Sequence, residues 1–390
     1  MSPVANPVDW AGVRSVGVFR ALMLGDMLCA VPALRAIRAA CPQARLSLIG
    51  LPWAREFVER SSCIDDFVEF PGYPGLPERV PDLQAWPEFC SRMRERGFDL
   101  LIQLHGSGAI VNPMLRQWEA RRLAGFYDAT AARQGFAEKA ENRLFARWSD
   151  SGHEIVRLLQ LTRHLGMADR GTALEFPVDD ADRRRIAQIW PGYADADGHR
   201  RYVCVHPGSQ LPSRRWPAER FAAVADRLAE SGLAVVLTGT AAEKPLVESV
   251  ARSMRSPSVD LAGCTSLWAL GALVEKATLV VSNDTGISHI AAALHTPSVV
   301  ISCGADTSRW GPLDTARHRV LAAPMACRPC AFAVCPYEHE CATAIDVREV
   351  LAAVADSQLV APMRENSSAG RQRTDDDAAR ARTVEEETLR

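Results

Sequence analysis

Short apolar runs alternate with stretches of helical periodicity from "RSVGVFRALMLGDML" onward. The run "SVGVF" is followed by "AVPALRAIRAAC", then "ARLSLIGL", "AREFVERS", "DDFVEF", "PEFCSRMRERG" and "FDLLIQLHG". Strand-length runs separated by amphipathic segments predict parallel strands joined by crossover helices. Residues 112–150, rich in Arg and Ala, are less regular and read as helices and loops of undefined extent. After the amphipathic helix "HEIVRLLQLTRHLG", Pro, Gly and Asp break any single period, which marks a domain boundary.

A second alternation follows, in which "YVCVHPGS", "LAVVLTGT", "VDLAG", "TLVVSND" and "PSVVISCG" predict strands. Between them "PAERFAAVADRLAESG", "EKPLVESVARSM", "SLWALGALVEKA" and "GISHIAAALH" predict helices. The expected organisation is an α/β domain over 1–180, another over 181–344, a helix over 345–361 and a disordered tail over 362–390. That tail is charged and poor in large apolar groups, so it cannot bury enough surface to offset ordering entropy. In open sheets of this kind, ligands bind beyond the carboxyl ends of the strands.

Composition narrows the function classes. A chain of 390 residues is long enough for two domains, and a net charge of −2 gives no general reason to expect a nucleic-acid partner. The only lysines are Lys139, Lys244 and Lys276, so nearly all positive charge is arginine. Most of these arginines fall on polar helix faces. No basic leader or long apolar span is present in the sequence given, and eleven scattered cysteines suit a reducing cytoplasm.

Several clusters could carry chemistry. In "HPGSQLPSRRW", Gly208 allows close backbone approach, Ser209 offers a hydroxyl, and Arg214 with Arg215 can neutralise an anion; the plain alternative is a strand-to-helix loop with solvated arginines. In "LTGTAAE", Gly239 and Glu243 follow the next strand; Glu243 could accept from a ribose or simply suit the first turn of a helix.

Thr285, Gly286 and His289 in "SNDTGISHI" would form an anion receptor at a helix N-terminus, with His289 as a donor or as a packed core residue. Asp284 there repels phosphate and suits an N-cap. Gly25 and Asp26 in "LGDMLCAVPALR" permit close approach and offer a carboxylate that could cap the helix or act as a general base; Pro32 should kink that helix. Cys327, Cys330, Cys335 and Cys341 could ligate a metal, but their spacing matches neither a zinc ribbon nor a ferredoxin run.

The order of "LGDMLCAVPALRAIR", "HPGSQLPSRRWPAERF", "VVLTGTAAE", "LVVSNDTGISHIAAALHTPSVVI" and the late cysteines resembles glycosyltransferase family 9, the lipopolysaccharide heptosyltransferases. The resemblance runs from about residue 14 to 355. It implies a GT-B architecture, two Rossmann-like domains facing an interdomain cleft, with a C-terminal helix crossing back to the first domain. It also implies inverting transfer of a heptose from ADP-heptose to a lipopolysaccharide inner-core acceptor, without a cofactor or catalytic metal, and with peripheral membrane contact at most on the cytoplasmic face.

On that resemblance Asp26 is the base that deprotonates the acceptor, while Asp284, Thr285, Gly286 and His289 bind donor. Arg214 replaces the family's usual lysine, keeping the charge and changing the geometry. Acceptor recognition is expected from "GYPGLPERVPDLQAW" and from residues 107–148, with Arg116, Arg121 and Arg122 facing anionic groups beside Gly25. The rivals are a UDP-sugar epimerase of similar architecture and a non-catalytic nucleotide-sugar binding module.

Overall fold

The computed structural model describes Val8 and residues 10–136, 143–197 and 201–356. The expected tail over 362–390 and the last residues of the expected helix over 345–361 lie outside the described residues. The first sheet and its helices comprise β1 Ser15–Phe19, α1 Leu24–Ala40, β2 Arg45–Gly50, α2 Ala54–Arg60, β3 Asp66–Glu69, α3 Trp86–Glu95, β4 Leu100–Gln103, α4 Val111–Arg116, β5 Leu123–Tyr127, α5 Ala129–Ala131, β6 Phe145–Arg147 and α6 Glu154–His164. The second half comprises α7 Asp180–Ile189, β7 Tyr202–His206, α8 Ala218–Glu230, β8 Ala234–Leu237, α9 Lys244–Ser253, β9 Ser258–Asp260, α10 Leu267–Lys276, β10 Leu279–Asn283, α11 Gly286–Ala293, β11 Ser298–Ile301, α12 Thr307–Trp310, β12 His318–Leu321, α13 Glu340–Thr343 and α14 Val347–Asp356.

Every described strand pairing is parallel. The first sheet has the order β3-β2-β1-β4-β5-β6 and the second β12-β11-β10-β7-β8-β9. Numbered from its own first strand, the second repeats the order of the first. Chain direction therefore switches between β1 and β4 in one sheet and between β7 and β10 in the other, and a crevice opens at each switch.

The expected strands and helices are found. The irregular stretch 112–150 also contributes β5 and the edge strand β6, and β12 closes the second sheet beyond the elements expected. These are edge or near-edge strands of three to five residues, too short to show an alternating pattern.

Helix α1 runs unbroken from Leu24 to Ala40 with Pro32 inside it, so proline costs a hydrogen bond without ending the helix. Its buried Met27, Leu28 and Val31 belong to one apolar cluster with Ile287, Ile290 and Ala291 of α11. The halves thus meet through a helix pair, each fully buried aliphatic side chain contributing about 1.5–3 kcal/mol.

Helix α14 packs on the second sheet. Val350, Ala353 and Val354 join the cluster formed by Val203, Phe221, Val224 and Val250, with α14 lying against α8, β11 and β12. The described part of this segment thus covers its apolar face on the second sheet, and residues 357–361 of the helix expected to cross back to the first domain lie outside the described residues. No helix among the described residues is long and apolar enough to cross a membrane.

Candidate active site

The loops at the two switch points meet in one cleft of about 330 Å³, lined by Met23, Gly25 and Asp26 from the first half and by Ser209, Arg214, Asp284, Thr285, Gly286, His289 and Trp310 from the second. Four segments far apart in sequence are brought together because each follows the carboxyl end of a parallel strand or opens the next helix.

On the first side, Asp26 occupies the first turn of α1, whose N-cap Met23 makes no side-chain cap bond. The carboxylate is not spent on a cap either: among the described residues no hydrogen bond reaches it. Its backbone carbonyl accepts from Arg20 Nε at 2.9 Å and Nη2 at 2.6 Å. Burial pushes the Asp26 carboxyl above its usual range, with Glu154 adding to the shift and Arg20, His289 and Arg309 opposing it. A desolvated carboxylate with free lone pairs is suited to accept a proton.

On the other side, Thr285 is the N-cap of α11 and makes no side-chain cap bond, so the helix start is not closed off by its own hydroxyl. Asp284 does not cap it, contrary to the capping reading; its Oδ2 accepts from Ser302 Oγ at 2.9 Å. His289 is buried, with Nδ1 3.8 Å from Cys29 Sγ, and burial lowers its pKa, leaving a neutral ring. The core reading of His289 is met, and the same side chain also lines the cleft.

Arg214 lines the cleft, with Nη2 donating to the Cys330 carbonyl at 2.7 Å and Nε buried without an acceptor among the described residues. Arg215, the other candidate for neutralising an anion, is not in the cleft wall: its Nε and Nη2 donate to the Ser209 carbonyl at 3.0 and 2.8 Å, closing the loop on itself. Asn283 joins this loop to α11. Its Oδ1 accepts from Trp216 N at 3.0 Å and its Nδ2 donates to the Pro207 carbonyl at 2.7 Å.

Glu243 sits behind Gly208, where an added β-carbon would lie 2.3 Å from Oε1. Its Oε2 accepts from Thr240 N and Oγ1, both at 2.9 Å, in a capping box. Glu243 thus serves the helix as the alternative reading had it, with Oε1 against Gly208, and neither residue is in the cleft wall. Gly239 packs on Val247 and is absent from the cleft wall.

The three candidate acceptor arginines are not brought to the cleft. Arg121 and Arg122 precede β5, at the amino end of the strands, and Arg121 lies 3.9 Å from Asp99. Arg116 closes α4 and stacks its guanidinium 3.7 Å from the centroid of the Phe136 ring.

Among the described residues no three His, Cys, Asp or Glu are grouped to hold a metal ion. Cys327, Cys335 and Cys341 line a separate hollow, and the loop around Cys330 braces the loop after β7: Ser213 N donates to the Ala333 carbonyl at 3.2 Å and His339 Nε2 to the Ser213 carbonyl at 2.7 Å.

Sequence reasoning missed Arg20, Glu154, Arg309 and Trp310. The one available signal was an arginine directly following the apolar run "SVGVF", where a solvated side chain is out of place.

Two facing Rossmann-like halves with a shared cleft define a GT-B architecture, and residues 86–340 match the model of glycosyltransferase family 9 (heptosyltransferase). The chain belongs to this glycosyltransferase family. It is 34% identical over 306 residues to lipopolysaccharide heptosyltransferase 3 of Escherichia coli, covering 74% of this chain and 83% of that protein. The crystal structure of a glycosyl transferase family 9 protein from Veillonella parvula DSM 2008 superposes with a TM-score of 0.74 at 20% identity, over 91% of this chain and 99% of the other. The E. coli heptosyltransferase WaaC with ADP has a TM-score of 0.63 at 18% identity, over 88% and 99% of the two chains.

Proposed function

We propose that this protein transfers a heptose from ADP-heptose to a lipopolysaccharide inner-core acceptor with inversion, using Asp26 as general base. The observation that carries the reading is that Asp26, from the first half, and the N-terminus of α11, from the second, line one cleft. Relatives named as lipopolysaccharide heptosyltransferases, and a structural neighbour with bound ADP, support the choice of donor and acceptor.

In this reading the acceptor hydroxyl gives its proton to the Asp26 carboxylate as its oxygen attacks the anomeric carbon from the face opposite the leaving group. The bond from that carbon to the diphosphate breaks, and the departing charge is met by Arg214 and by the backbone N–H groups at Thr285 and Gly286. Ser209 and His289 offer further donors, and Glu243 beside Gly208 takes the ribose end. Charge neutralisation is assigned to these groups rather than to a catalytic metal.

Residues 1–180 act as the acceptor domain and 181–344 as the donor domain. Work on a lipid-linked acceptor places the enzyme in the cytoplasm with peripheral contact at the inner membrane.

The test is acceptor-dependent release of ADP from ADP-heptose. Asp26→Asn is expected to lose about 10²–10⁴-fold in kcat while ADP affinity stays nearly intact. Donor binding with no acceptor-dependent release in the wild type would overturn the assignment, and normal turnover by Asp26→Asn would remove Asp26 as the base.

A further inference from the structure

Beneath the cleft lies a buried ionic cluster that the transfer reaction does not itself use. Glu154, the first residue of α6, has 3% of its side chain exposed and is met by three guanidinium groups. Arg20, wholly buried at the end of β1, places Nη2 3.4 Å from Oε1. Arg157, one turn on along α6, bonds Oε2. Arg309 arrives from α12 in the other half, with Nε and Nη2 both 3.1 Å from Oε2.

Arg20 is the link to the site. Its fork holds the Asp26 carbonyl by two bonds and the Leu104 carbonyl by a third, so the first turn of α1, which has no side-chain cap, is tied to the strand beneath it. The far end of the chain of contacts is equally definite. Asp306 caps α12 through Ser308 N and Arg309 N, and the next residue after Arg309 is Trp310, in the cleft wall.

A second bond joins the same two segments: His153 Nε2 donates to the Gly311 carbonyl at 2.6 Å, while its Nδ1 accepts from Ile155 N at 3.2 Å. Neighbouring residues 153 and 154 of one half are thus fastened to residues 309 and 311 of the other. A guanidinium whose Nε and Nη2 converge on one carboxylate oxygen and a hydrogen-bonded imidazole make this junction directional, and separating the halves would take from the buried Glu154 one of its three positive partners.

We propose that Arg309 is a positioning residue for Asp26: by gripping Glu154 across the cleft it fixes, through Arg20, the backbone turn that carries the base. The proposal rests on the reading of Asp26 as base. It makes docking of α12, and with it placement of Trp310 on the donor side, one event with ordering of the acceptor side.

The chemistry also bears on proton transfer. The charged and titratable groups around Asp26 are Arg20 from β1, Glu154 from α6, His289 from α11 and Arg309 from α12, and the Asp26 charge in turn acts on Cys29 and on Glu78. Arg309 is among those that favour the ionised carboxylate.

The test uses the full chain with Arg309→Gln and Arg309→Lys, read by hydrogen exchange without ligand and by transfer kinetics across pH. Arg309→Gln should speed amide exchange in residues 24–29 by about tenfold, although the substitution lies in the other half. Its kcat should fall by about tenfold with donor KM little changed, and the acid limb of its profile should move to higher pH because a favouring positive charge has gone. Arg309→Lys keeps the charge and loses the fork, so its limb should stay near the wild-type position; where the Gln variant does not fold, the Lys variant carries the exchange measurement.

Faster exchange confined to residues 305–311, or a kcat loss equal at every pH, would reduce Arg309 to a local structural role and overturn the proposal. If the wild type shows no transfer, the glycosyltransferase reading fails on that control, while the exchange result still decides whether Arg309 orders the α1 turn.

Discussion

A β-carbon on Gly25 would lie 2.6 Å from Cδ2 of His289, closer than two carbons can approach without one of them moving. Glycine at this position lets α1 and α11 touch, and the contact holds the turn that carries Asp26 against the N-terminus of α11. Gly25→Ala should therefore cost about 1–3 kcal/mol through overpacking and lower kcat/KM for transfer. A double-mutant cycle with His289→Ala measures the coupling; additive losses would show that the two residues act separately.

Arg214 and Arg215 are adjacent in sequence and differ in what they hold. Arg214 lines the cleft and its buried Nε has no acceptor among the described residues, whereas Arg215 turns Nε and Nη2 onto the Ser209 carbonyl. Arg214→Ala is expected to weaken ADP binding by about 10- to 100-fold, the value of one charge-assisted contact. Isothermal titration of both alanine variants checks this. For Arg215→Ala the loss should appear mainly as a lower melting temperature.

The pH dependence of transfer follows from the raised carboxyl of Asp26. A base must be ionised, so the rate falls as pH drops through its pKa, and burial places that limb above the ordinary carboxylate range. A kcat/KM profile in which the limb stays at the value of a solvated aspartate would contradict the assignment. In Asp26→Asn the residual rate should lose this limb.

His105 makes a separate prediction about stability. Its Nδ1 accepts from Ala21 N at 3.3 Å and burial pushes its pKa down to about 3, so the folded ring is neutral. The unfolded chain takes up the proton at the ordinary histidine value, and stability drains as pH falls below about 6.5, by up to about 1.4 kcal/mol per pH unit. The loss ends once the pH passes the folded value. Urea midpoints of the wild type and His105→Gln across that window should converge as the solution is acidified.

Much of the architecture was legible from periodicity. The strands at the sheet centres, such as "SVGVF" and "TLVVSND", are apolar because both faces are covered, and the glycines and polar groups after them mark the switch-point loops. The short strand β5 and the edge strands β6 and β12 carry no such signal. The Asp26, Arg214, Asp284 to Gly286 and His289 constellation was found from its motifs, and the structure places it in one cleft.

Side-chain partnerships were not legible. Nothing in "RRWP" tells which arginine faces the cleft, and nothing in "TSRWG" shows that Arg309 meets a glutamate 155 positions earlier. Arg121 and Arg122 looked suited to an anionic acceptor by charge alone, but their position before β5 puts them at the wrong end of the strand.

The two opposed bonds of Asn283 have a further consequence. One carboxamide receives the Trp216 amide and gives to the Pro207 carbonyl, so the spacing of the loops after β7 and β10 is fixed when the chain folds. A ligand entering there is spared the entropy of ordering them, and its affinity reflects contacts made rather than motion lost. An aspartate in place of Asn283, nearly identical in shape, would turn a donor into a second acceptor facing the Pro207 oxygen and return that disorder to the binding step.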